Sequence, residues 1–319
     1  MGLEHWDLRF NRRRILSIAA GTAGAMALTG SGHPAFAAAQ PAGSTTPLPV
    51  TDMQKILGAT GTVEDEVLRV EIDRSDLTAT LPGNISASSQ LVGELYFQPA
   101  HNKAAILNGD FCVSSDETNS FLDALISNGL VVQAFHQHLY DLTPVVWFVH
   151  FRGHMDPLKL AQAVRKAMDV TKVKLPQATP SKPTTPFDVK KLETIIGGRA
   201  DIGSGGVVTV YVPRKENIFI DKAPIRPELG ISAQIDFQPL DSKGTTALVV
   251  PDFALIGREV NPVFKAMRAE AFDIGCLYNQ ETDEVPQLYF SHMWKTGSPY
   301  DLAQSVRKGL MLTNSAVTS

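Results

Sequence analysis

The strongest constraint on this chain is internal. A unit slightly longer than a hundred residues occurs in it twice, so any fold adopted by one copy must also serve the other. Leu57-Gly58 answers Ile196-Gly197, and Tyr96-Phe97-Gln98-Pro99 answers Asp236-Phe237-Gln238-Pro239. From Gly109-Asp110-Phe111 onward the offset is constant: Asp110 pairs with Asp252, Glu117 with Glu259, Asn119 with Asn261 and His150 with His292. Leu160-Ala161-Gln162 and Val164-Arg165-Lys166 recur as Leu302-Ala303-Gln304 and Val306-Arg307-Lys308.

The sequence outside the copies differs in kind. Arg12, Arg13 and Arg14, followed by Ile15 and Leu16, lead into the small, apolar run Ile18 to Gly30, and Ala35-Phe36-Ala37 supplies a small-x-small cleavage site. This matches a twin-arginine export signal and predicts a periplasmic or secreted mature chain starting near Ala38. An ordinary secretory signal and an uncleaved anchor are the alternatives, and the apolar stretch is short for a membrane span. Residues 1–37 therefore read as a leader and 38–50 as a linker. Residues 51–171 form repeat one, 172–186 a proline-rich connector, and 187–314 repeat two. No second apolar run of spanning length follows, so the mature chain is expected to have no membrane span.

Composition serves mainly to exclude. The whole chain of 319 residues has 29 basic and 33 acidic side chains, and losing the leader leaves 25 and 31, a surface unsuited to nucleic acid. Cys112 and Cys276 occupy non-equivalent positions in the copies and read either as one inter-repeat disulfide or as two buried thiols. With no P-loop, dinucleotide glycine fingerprint, nucleophile elbow or CxxC pair, no nucleotide cofactor is expected.

Within each copy the pattern predicts a short helix, three strands, a helix, two strands and a helix. The strands fall at Val67–Ile72, Leu91–Phe97, Ala105–Val113, Val131–Tyr140 and Val145–Phe151 in the first. Asp156-Pro157 and Ser298-Pro299 place a capping residue before a proline that opens the last helix, where Leu160, Ala161, Val164 and Ala167 share a face. The fold class is α+β: two tandem domains, each an antiparallel sheet with helices over one face.

Chemistry concentrates in the fourth and fifth strands of the first copy. Four of the six histidines beyond the leader lie between His136 and His154. On a strand, His136 and His138 share a face, and a turn centred near Thr143 sets His136 opposite His150. Three imidazoles then converge on one point, as zinc, copper, nickel or iron(II) would require, with His154, Glu94, Asp110 and Asp141 as further candidates. The competing reading is a set of histidines packed under a helix and bonded to backbone. The second copy replaces His136 and His138 by Tyr278 and Gln280 and keeps His292, so the fold itself does not need the first two imidazoles. Asp110, Asp252, Glu117 and Glu259 are expected as turn and capping groups, and Arg74 and Arg214 as partners of carboxylates.

The paired units, with Gly109-Asp110-Phe111, His136-Gln137-His138, Pro144 and Phe148-Val149-His150-Phe151, resemble the LppY/LpqO family of exported bacterial proteins. In that family an H-x-H strand and a following V-H-F segment recur, matching His136, His138 and His150 here, whereas Tyr278 and Gln280 depart from the pattern. The resemblance implies architecture and no particular reaction. Two functions are therefore expected as alternatives. One is an exported metalloprotein, hydrolytic or oxidative, with one transition metal on His136, His138 and His150. The other is a non-catalytic protein that binds a small molecule or cell-envelope component between the repeats through Tyr278, Gln280 and His292.

Overall fold

The computed structural model describes residues 46–178, 183–220, 222–280 and 283–318. The expected leader, most of the first linker and the middle of the connector lie outside these residues. Among the described residues no helix is long and apolar enough to cross a membrane.

The first repeat opens with α1 (Val50–Leu57), which ends at Gly58 with φ of 74°, a left-handed conformation that costs glycine little. Then come β1 (Gly61–Glu64), β2 (Val67–Asp73), a small ribbon of β3 (Thr80–Leu81) and β4 (Ile85–Ser86), β5 (Val92–Pro99) and β6 (Ala105–Ser114). Helix α2 (Thr118–Ser127), strands β7 (Val131–His136) and β8 (Val146–Met155) and helix α3 (Pro157–Met168) complete it. The second repeat follows the same order: α4 (Val189–Ile196), β9 (Arg199–Ile202), β10 (Val208–Val212), the ribbon strands β11 (Ile218–Ile220) and β12 (Ala223–Ile225), β13 (Ala233–Pro239), β14 (Ala247–Leu255) and α5 (Gly257–Ala269). It ends with β15 (Asp273–Ile274), β16 (Glu284–Val285), β17 (Tyr289–Gly297) and α6 (Pro299–Leu310).

Each repeat builds a six-stranded antiparallel sheet, ordered β1-β2-β5-β6-β8-β7 in the first and β15-β17-β14-β13-β10-β9 in the second. The α+β class and the duplication thus both hold. The short edge strand β1 has one apolar residue in four and gives no alternation to read, which is why three strands and not four were expected before α2. Asp156 caps α3 by accepting from the Leu158 and Lys159 amides at 3.0 and 3.1 Å. Ser298 precedes α6 as expected but makes no side-chain capping bond.

Strand alternation sends Leu68, Val70 and Ile72 toward the helices, where they join a core with Phe111, Phe121, Phe151 and Leu160. The other face of each sheet meets the other sheet. Val67, Tyr96 and Ile106 of the first repeat pack with Ala254, Ile256, Tyr278 and Phe290 of the second, and Cys112, Leu139 and Phe148 pack with Leu248, Val250 and Trp294. The layers therefore run helix, sheet, sheet, helix, with two apolar clusters between the sheets.

The glutamines of the repeated Phe-Gln-Pro motif lock the sheets reciprocally. Gln98 donates to the Pro224 carbonyl at 3.0 Å and accepts from the Arg226 amide at 2.8 Å. Gln238 donates to the Ser86 carbonyl at 2.6 Å and accepts from the Ser89 amide at 2.8 Å. Equivalent residues thus make equivalent contacts across the joint, as in an isologous dimer interface.

Candidate metal centre between the two sheets

Two strand pairings build a polar row across the first sheet: Glu94 opposes Asp110, and Asp110 opposes His150. Opposed residues share a face, so all three point at the second sheet. There Gln234 opposes Asp252, and Asp252 opposes His292, forming a matching row. Asp110 and Asp252 therefore sit in mid-strand and face the joint. They are not turn or capping groups, because the strands continue through Gly109-Asp110-Phe111 and its copy.

The β7–β8 pairing differs from expectation in register while keeping its parity. His136 lies opposite Phe148, and Ala134 opposite His150, with an irregularity between Val132 and Ala134. A slip of two residues leaves every side chain on its original face, so His136 and His150 still point the same way. The strand also stops at His136 and does not run on to Tyr140. Beyond it, Leu139 leaves the sheet and is fully buried in the second inter-sheet cluster. The second repeat comes close enough there that a Cβ on Gly275 would lie 2.2 Å from the His138 carbonyl oxygen. His138 thus reaches the site from a loop, held by the opposite repeat.

The ring nitrogens of His136, His138 and His150 lie within 4.8 Å of one another, a set able to hold a metal ion. The Nε2 atoms of His136 and His150 are 2.9 Å apart. Imidazole nitrogens bound to tetrahedral zinc at about 2.0–2.1 Å are separated by about 3.3 Å, so the observed spacing is within a few tenths of an ångström of a coordination shell. His136 Nδ1 faces the Gln137 carbonyl at 3.1 Å and His138 Nδ1 faces Gln90 Oε1 at 3.2 Å. A proton donated to each oxygen leaves Nε2 with its lone pair toward the common point, the outer-partner arrangement of metal-bound histidine. His138 Nε2 and Asp110 Oδ1 are buried without a hydrogen-bond partner. Asp110 stands 3.5 Å from His138 Nε2 and 3.7 Å from that of His150. The three imidazoles could thus hold a metal ion.

Burial fixes the protonation of these rings. It pushes His136 down to about 2 and His150 to about 4, and holds His138 and His292 well below the usual imidazole range. Neutral imidazole is the form that ligates. Burial has the opposite effect on Asp110, raised to about 6, with Glu94 adding to the rise and His150 opposing it.

The second repeat supplies a wall for these ligands. Tyr278 stacks on His136 with ring centroids 3.8 Å apart, and its hydroxyl donates to Asp252 at 3.2 Å. His292 stacks on His138 at 3.8 Å, and Cys276 Sγ lies 3.4 Å from His292 Nδ1. Gln280 donates to the Gly230 carbonyl at 3.1 Å. Tyr278, Gln280, His292, Glu94, Asp110, His138 and His150 line a cavity of about 360 Å³ between the sheets. His154 lies four residues along β8 at an exposed position, and neither it nor Asp141 lines the cavity. Cys112 and Cys276 are free thiols.

Glu117 and Glu259 have structural duties, as expected. Arg74 is fully buried, with Glu117 and Asp76 each at 2.8 Å, and Arg214 repeats this with Glu259 at 2.8 Å and Glu216 at 2.9 Å. Gln90 was missed. It ends a one-turn 3-10 helix, Ser88–Gln90, too short to show periodicity, and only contact with His138 and Asp236 reveals its part.

The profile of a family described as Domain of Unknown Function (DUF1259) matches residues 51–170 and again residues 190–312. No curated protein and no solved structure matches the chain.

Proposed function

The chain belongs to that family in both of its halves, and we propose that it is a metalloprotein whose ion is held by His136, His138 and His150. The observation that carries this reading is the convergence of three neutral imidazoles, with His138 and His150 buried on the wall of a cavity and the half-buried His136 beside them, the one such group among the described residues. Zinc, copper or iron suits such a set. A bound ion of this kind activates water or supports oxidative chemistry.

The chain's own groups divide the remaining work. Asp110, beside two of the ligands, exchanges a proton with a molecule in the cavity. A carboxyl raised to about 6 by burial is matched to that role near neutral pH. Tyr278 and His292 hold the His136 and His138 rings in place and keep water from their faces. On this reading the protein is a metal-dependent enzyme, hydrolytic or oxidative, exported through the twin-arginine route to the periplasm or beyond. The LppY/LpqO likeness belongs to the same reading.

Metal analysis of protein purified without an affinity tag tests it. The expected result is about one transition-metal ion per chain, lost in a folded His136→Ala/His138→Ala variant. A metal-free protein whose thermal midpoint does not move on adding zinc, copper or iron would overturn it. The second reading is a non-catalytic binder of a small molecule or cell-envelope component. It is favoured by Tyr278, Gln280 and His292 all facing the cavity, and it predicts ligand binding that survives metal removal with no turnover.

A further inference from the structure

The cavity does not end at the histidines. It continues between the sheets past Asp110 and Asp252 to Asn108, Tyr96 and Asp236. We propose that this continuation binds a small organic cation bearing an amine. The inference deepens the metalloprotein reading by naming what lies beside the ion, but its own geometry does not require the ion.

Seven carboxylates line the cavity against two guanidinium groups and no lysine. Arg74 is committed to Glu117, Asp76 and the Cys112 carbonyl. Arg69 is committed to Glu94 at 2.8 Å and Asp201 at 3.6 Å, with its guanidinium over the Tyr211 ring at 5.0 Å. Among the described residues neither Asp236 nor Asp252 has a lysine or arginine partner. Buried carboxylates without a counter-charge are costly; burial raises Asp236 to about 7 and Asp252 well above the usual range, and an ammonium ligand relieves them in place of a proton.

Unpaired atoms point the same way. Asn108 is 1 % exposed; its Nδ2 donates to the Leu229 carbonyl at 2.8 Å, while its Oδ1 has no partner. Asp252 Oδ1 is likewise buried and unpartnered, and the buried Tyr96 hydroxyl faces the Glu94 carboxyl, to which it donates, leaving its oxygen free to accept. Asn108 Oδ1 accepts only, Asp252 Oδ1 accepts in the ionised form that a bound cation favours, and the Tyr96 hydroxyl is able to accept. An ammonium group offers three N–H donors and one positive charge, whereas a carboxylate or phosphate offers neither. A neutral polyol offers donors but leaves the charge uncompensated. The volume, about 360 Å³, falls at the small end of the range for small-molecule sites.

Three four-carbon probes differing only in their end groups test the idea by calorimetry on the full mature chain: 1,4-diaminobutane, 1,4-butanediol and succinate. The diamine should bind at least tenfold more tightly than the diol, and succinate not at all. An amine can itself ligate a metal, so the titration is repeated on the His136→Ala/His138→Ala protein. Binding should persist there, which separates this inference from the fate of the metal reading. Asp236→Asn should weaken diamine binding tenfold or more while metal content is unchanged. If that variant does not fold, the order of the three probes on the unmodified chain decides. Absence of diamine binding, equal binding of the diol, or loss of diamine binding on removing the two histidines would overturn the proposal.

Discussion

His136 illustrates how burial prepares a side chain for chemistry. Its folded-state pKa is depressed to about 2, below the ordinary imidazole value, so the folded protein binds fewer protons there than the unfolded chain does. The sign follows: stability contributed by a neutral His136 is complete above the ordinary pKa, about 6.5, and is lost as pH falls below it. The raised carboxyl of Asp110 acts in reverse, gaining stability as pH falls from about 6 toward the ordinary aspartate value. Comparing His136→Gln with the unmodified chain, both treated with chelator, isolates the histidine. The variant should lose stability with falling pH less steeply, by at most about 1.4 kcal/mol per pH unit between pH 6 and 4. Denaturant unfolding measures this, and identical slopes would mean the ring is charged in the folded state.

At the level of elements, two strands aim the site, and each depends on a glycine. A Cβ on Gly109 would lie 2.5 Å from the Phe151 ring, and one on Gly93 would lie 2.4 Å from the Phe111 ring. Aromatic rings thus lie across glycines beside Asp110 and Glu94. Gly109→Ala forces the ring of Phe151 out of place and should cost about 1–3 kcal/mol in thermal or chemical unfolding. A cost near zero would show that the ring moves freely. Much at this scale was legible in the sequence. The alternation of β2, β5, β6 and β8 and the capped start of α3 are local properties of the chain. The facing of His136 and His150 was legible too, because parity survives a register slip of two. The end of β7 was not, since it is set by Leu139 and Gly275, residues of different repeats that meet only after docking. The Asp110 and Asp252 assignment failed for a related reason: an aspartate before a phenylalanine looks like a turn until its strand neighbours are known.

For the whole molecule, the sequence showed that there are two copies but not that their sheets face one another. Hydrophobic periodicity reports that a strand has a second apolar face, not what covers it. The one signal was a glutamine kept in both copies within an otherwise apolar motif. Gln98 and Gln238 turn out to be the cross-ties of the joint. Replacing both by alanine leaves backbone groups of Ser86, Ser89, Pro224 and Arg226 without partners, at a cost of about 1–3 kcal/mol for each glutamine if the groups stay dry. The double variant should therefore unfold at lower denaturant and, on the proposed metalloprotein reading, hold an added metal less tightly, because Tyr278 and His292 reach the three histidines only across this joint. Metal release measured against a chelator checks the second effect. Unchanged release would mean the first repeat organises the site unaided.

The stacking of His292 on His138 has a further consequence. A dimer of identical subunits must carry every feature twice, so an ion placed off its symmetry axis would demand a twin. Here the space a twin would need is filled by the rings that brace the first site. Joining two copies in one chain lifts the requirement of sameness, letting one half carry the three histidines and the other the rings that stack on them. A dimer of identical subunits could not separate the two roles in this way.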